Sequence, residues 1–210
     1  MLGGILLAVH SFTHPGGETA RYTFDPLWVP SHVIGAVAYL LIPLGLIGLC
    51  ARQSEKMGLL GLLGFVLTFV GGTLSAGESL FLSVALVPFL AARGLDWADP
   101  PSGAFIVLPA YQIAVGVSGA ALLVGLPLLA VATLRAHVLP AVGAWLIILT
   151  VPLAVVVIAL VFFIGTSQQG LLQAAVGAVL GLGLAAWGWA LWSEKGAAVA
   201  AAPAVVERPT

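Results

Sequence analysis

The sequence predicts an all-α polytopic integral membrane protein, a bundle of six transmembrane helices with a short first one and both termini cytoplasmic. Three observations carry that expectation. Of the 210 residues, 61% are hydrophobic and only 7% charged, far below the roughly 25% of a soluble domain, so a water-facing surface could not be covered. The apolar residues gather into runs of about 20 or more, the length a bilayer demands. Five of the seven Lys and Arg fall on one side of those runs. In lipid every backbone N–H and C=O must be satisfied within its own segment, so each run is a helix and the bilayer is its partner.

The first run, 1–14, extends about 21 Å as a helix, short of a ~30 Å hydrocarbon core. It has no Lys or Arg before His10, which argues against a signal peptide and for a first membrane helix. His14 precedes Pro15, a position pushed away from helical torsions, and so marks the helix end. The second run covers 28–50. The third and fourth, 57–92 and 104–134, are longer than a bilayer needs and should tilt or break, with Gly71, Gly72, Gly77, Pro88 and Pro109 as the expected break points. Runs 138–164 and 171–192 complete the six. Residues 1–195 read as one transmembrane domain, and 196–210, rich in Ala and Pro, as a disordered cytoplasmic tail.

Orientation follows from the connections. Arg52, Lys56, Arg135, Lys195 and Arg208 share one side, against Arg21 and Arg93 on the other, so the first side is cytoplasmic in a multi-pass protein of the cell (inner) membrane. A formal net charge of -1 removes nucleic acid as a partner. The single cysteine, Cys50, excludes an internal disulfide framework and a Cys-based zinc or iron–sulfur site.

Ionisable groups are costly in lipid, so those within spans are the functional candidates. His10 and His14 stand at the outer end of the first helix, and His32 enters the second from the same side, at the depth of His10 on an antiparallel neighbour. Glu78 is the one carboxylate deep in an apolar run, with Ser75 and Ser79 near it. Glu18, Arg21 and Asp25 lie in the loop above. The plainer alternative is that amphipathic imidazole rings simply sit at the interface and that Glu78 bonds a neighbouring hydroxyl or carbonyl. His137, beside Arg135 at the inner turn, reads as interfacial.

Two chemistries suit the outer histidines. In the first, His10 and His32 ligate a b-type haem iron axially, with His14 as the alternative ligand from the first helix, for electron transfer or haem sensing. Gly35, Gly71, Gly72, Gly77, Gly116, Ser118 and Gly119 would make room, Arg21 or Arg93 would pair with the propionates, and Glu78 would orient an imidazole. In the second, His10, His14, His32 and Glu78 bind zinc or copper in a membrane hydrolase-like protein. A third reading is a non-catalytic subunit of a membrane complex, because Gly177 and Gly181 form a GxxxG motif suited to a homo-oligomer or a partner helix. A transporter is disfavoured, since the inner halves of the spans carry almost no polar residue apart from Tyr39.

Overall fold

The computed structural model describes residues 1–15, 25–86, 88–89, 92–93, 107–164 and 169–200, and these are all helix or short connections. Five helices follow in order: α1 (Leu2–Thr13), α2 (Trp28–Leu80), α3 (Val107–Ala136), α4 (Ala141–Ile164) and α5 (Gln169–Ala200), with a π-helical turn, Phe81–Leu86, continuing α2. Helices α2 to α5 are each long and apolar enough to cross a membrane, whereas α1 is apolar but shorter. The architecture is that of a helical membrane protein.

Helix α2 has 53 residues and, if straight, would run about 80 Å. It breaks at Gly58, where φ is 60° and ψ is -174°, a region open almost only to glycine. The break falls just after Arg52, Glu55 and Lys56, all of them exposed. It divides α2 into a first limb, 28–57, and a second limb, 59–80, that fold back on one another. Pro43 of the first limb lies 2.9 Å from where a Cβ on Gly72 of the second would stand.

The glycines expected to break the third span therefore do something else. Gly71 and Gly72 lie within the continuous second limb, and they admit neighbours instead of bending the chain: Ser118 and Leu122 approach Gly71, and Pro43 approaches Gly72. In lipid a helix keeps its backbone hydrogen bonds even at glycine, so the missing Cβ is spent on close approach. The π turn does lie just before Pro88, the expected second break point; proline lacks the N–H that the carbonyl four residues earlier would accept.

Small residues set the helix contacts all round the bundle. A Cβ on Gly64 would stand 2.5 Å from the Leu129 backbone, and one on Gly125 2.7 Å from Thr68, which locks the second limb of α2 to α3. Gly143 and Gly183 meet across α4 and α5. Gly181 of α5 meets Gly4 and Ala8 of α1, and Gly177 meets Ser11, so the GxxxG face of the last helix is turned to α1 of the same chain. Leu46, Leu49, Leu126, Leu129, Ile147, Leu184 and Trp187 fill the core. Outward stand Leu44, Ile113, Val155, Ile158 and Phe163, all exposed, which is the distribution of a protein whose solvent is hydrocarbon. Between α3 and α4 the chain turns at His137, whose φ of 52° supplies the left-handed residue that often ends a helix. Helix α5 runs to Ala200, and 201–210 lie outside the described residues.

Replacing Gly64 by Val should lower the stability of the detergent-solubilised protein by about 1–3 kcal/mol, because the added carbons meet α3 backbone that cannot yield. Gly45→Ala, with nothing within 4 Å, should be neutral or stabilising; equal melting temperatures for the two variants would refute this packing.

Candidate functional site

The end of α1 and the start of α2 build the site. Helix α1 stops at Thr13 because His14 takes extended torsions, φ -66° and ψ 121°, ahead of Pro15. At the other element, Asp25 accepts the Leu27 N–H through Oδ1 at 2.8 Å and sets the first turn of α2. One turn in, Ser31, His32 and Gly35 face α1. Gly35 is required there: a Cβ would lie 2.9 Å from the His10 ring.

Three imidazoles then touch one another. Ring centres are 5.3 Å apart for His10 and His14, 6.0 Å for His10 and His32, and 4.9 Å for His14 and His32. Two of the rings are tethered on the same side. His10 Nδ1 lies 2.9 Å from the Ser31 carbonyl oxygen and 3.1 Å from its hydroxyl, and His32 Nδ1 lies 2.8 Å from the Trp28 carbonyl oxygen. A carbonyl only accepts, so both Nδ1 atoms carry the proton and both Nε2 atoms keep a free lone pair. Trp28, 5% exposed, covers the cluster with its ring 4.3 Å from His32 and 5.6 Å from His14. Tyr39 closes the deep side, 6.4 Å from His10.

The structure thus brings together His10, His14 and His32 from the expected set. Glu78 stands on the second limb of α2, where Ser118 of α3 donates its hydroxyl to Oε2 at 2.9 Å. Arg21 and Glu18 lie outside the described residues. Arg93 places its guanidinium 3.7 Å over the Phe89 ring of its own turn. Among the described residues, no group of three or more His, Cys, Asp or Glu side chains is placed to hold a metal ion; the imidazoles meet edge to face or tilted.

Sequence reasoning missed Ser31 and the Trp28 carbonyl as tethers, and it did not bring Tyr39 beside His10. The available signal was the spacing of Trp28, His32, Gly35 and Tyr39, which recur at three or four residues and so share one helix face. Comparison with protein families, with curated proteins and with solved structures returns no match.

Gly35→Leu should push the His10 ring off Ser31 and destabilise the protein by about 1–3 kcal/mol, whereas Gly116→Leu, at a position with nothing within 4 Å, should not. Thermal unfolding in detergent separates the two, and a Gly35→Leu protein as stable as wild type would contradict the contact.

Proposed function

We propose that this protein is a six-span membrane protein, with both termini on the cytoplasmic side of the cell membrane, that binds a transition-metal cation through His10, His14 and His32 near the outer face. The two limbs of α2, with α1 and the other three helices, supply six helical passes, and the charge asymmetry of the connections orients them. The observation that carries the metal reading is the mutual contact of three imidazoles, two of them with Nδ1 tied to backbone carbonyls. That tether is how metal-binding histidines are commonly oriented, with the second ring nitrogen left for the ion.

The spacing supports the same reading. With metal–nitrogen bonds of about 2.0–2.1 Å, imidazoles sharing one ion have ring centres roughly 5–5.5 Å apart. The three separations here run from 4.9 to 6.0 Å. Turning a ring about its Cβ–Cγ bond leaves its centre in place, and that torsion is broad for histidine. Convergence on an ion therefore asks the rings to turn, and the Nδ1 bonds of His10 and His32 limit that turn. Glu78 in this reading serves the contact between α2 and α3.

A second reading, low-spin haem b between His10 and His32, is favoured by their 6.0 Å separation, close to the roughly 6 Å between two axial imidazole centres. It requires the His14 ring to swing out, because that ring now lies about 4 Å from the midpoint of the other two, within the plane a macrocycle would occupy.

Metal content and a visible spectrum of protein purified without chelator decide. One bound cation is expected, with each of His10→Ala, His14→Ala and His32→Ala weakening binding more than about tenfold, and Glu78→Gln changing it less than about threefold. Copper should also quench the Trp28 component of the fluorescence, an effect lost in Trp28→Phe. A triple His→Ala protein that binds cation as wild type does would overturn the proposal, and a Soret band with split reduced α and β bands would install the haem reading in its place.

A further inference from the structure

We infer that the cavity between α1, the first limb of α2 and α5 holds an acyl chain of an anionic phospholipid, whose phosphate meets Arg52. The inference stands apart from the metal reading, because Gly3 and Gly4 line this cavity at the opposite end of α1 from His10. It measures about 230 Å3, and Ile42, Gly45, Leu49, Leu184, Trp187 and Leu191 are among its walls. Those walls are hydrocarbon, glycine and one indole, so the part of the occupant that enters is apolar. For scale, an apolar cavity of about 150 Å3 takes up benzene.

The cavity opens to the lipid. Gly45 and Trp192 both line it and both are exposed, with Leu44 and Ile47 exposed beside Gly45. Gly45 differs from the glycines that close the bundle. Gly4 lies against the backbone of Gly181 and Ala185, and Gly72 against Pro43, whereas a Cβ on Gly45 would meet nothing within 4 Å. The space in front of it is therefore shaped by the surrounding helices and not consumed by their packing. In a bilayer the solvent at this depth is acyl chain, and a chain laid in the cavity gains contact with wall atoms on several sides at once.

Charge selects the lipid. Ile42, Gly45, Leu49, Arg52 and Lys56 recur at three or four residues, so the stripe of the first limb that lines the cavity continues into two cations. Both cations are exposed, and Glu55 falls about a quarter turn off the stripe. Long side chains on a helix lean toward its N-terminus, so the reach of Arg52 covers the turn of Leu49. Across the mouth, Trp192 lies at the end of the apolar span Gly170–Ser193, the level where indoles meet headgroups. A guanidinium at that level offers a phosphate a planar pair of donors, and basic positions between helices there take anionic headgroups. Isologous pairing of two copies through the same mouth would instead set cation against cation.

The test uses the full chain, delipidated in detergent, and native mass spectrometry with added phosphatidylglycerol or phosphatidylcholine of identical chains. The wild type should retain one phosphatidylglycerol at least about fivefold more tightly than phosphatidylcholine, and Arg52→Gln should bring the two within about twofold. Gly45→Leu fills the cavity and should weaken both by about tenfold or more. Gly48→Leu, at an exposed position outside the cavity that also has nothing within 4 Å, should leave both unchanged. Phosphatidylglycerol brominated along its chains should quench the fluorescence component lost in Trp187→Phe, since Trp187 is only 2% exposed and a chain reaches it through the cavity. Equal binding by Gly45→Leu and Gly48→Leu, or an unquenched Trp187, overturns the chain site. A lipid preference unchanged in Arg52→Gln overturns the phosphate contact, and a lipid-free dimer broken by Gly45→Leu overturns the proposal in favour of a second copy.

Discussion

The close approach of α1 to the helices on either side of it is the constraint on which the site depends. Between helices in lipid there is little hydrophobic force, because hydrocarbon solvates a leucine as well as another leucine does, and association rests on contact area and a few polar bonds. Gly4 and Gly181 bring α1 against α5, and Gly3 and Gly35 bring it against the first limb of α2. A helix of 12 residues could not hold its place by length alone. Two of the three clustered imidazoles lie on this segment, so the glycine contacts are what create the cluster.

Hydroxyl groups elsewhere are satisfied within their own helices. Ser11 bonds Leu7 O, Thr68 bonds Gly64 O, and Thr133 bonds Leu129 O, each one turn back, which costs the neighbouring helices nothing. Against that background the bonds that cross between helices stand out. His10 to Ser31 joins α1 to α2, Gln53 to Thr133 joins α2 to α3 at one end, and Ser118 to Glu78 joins them at the other. Small residues let the backbones approach at many registers; these polar pairs select one.

The bundle is also unequal from end to end. The imidazoles, Trp28 and Tyr39 collect where α1 finishes and α2 begins, and the cluster of Leu46, Leu49, Leu126, Leu129 and Ile147 fills the space beyond.

Much of this was legible in the sequence alone. Composition and run length determined a helical membrane protein, the proline after His14 determined where α1 ends, and the shared depth of His10 and His32 was readable by counting from their connecting loop, because a helix in lipid has few ways to place a residue along the membrane normal. What lies across the membrane plane was not readable. Only the tertiary structure decided that the chain turns at Gly58 while Gly71 and Gly72 pack, that Glu78 bonds Ser118, and that Gly177 and Gly181 meet α1 of the same chain. Those outcomes depend on how each helix is rotated about its own axis. In spans apolar on every side, no hydrophobic stripe reveals that rotation; it is settled by contacts between residues far apart in the chain.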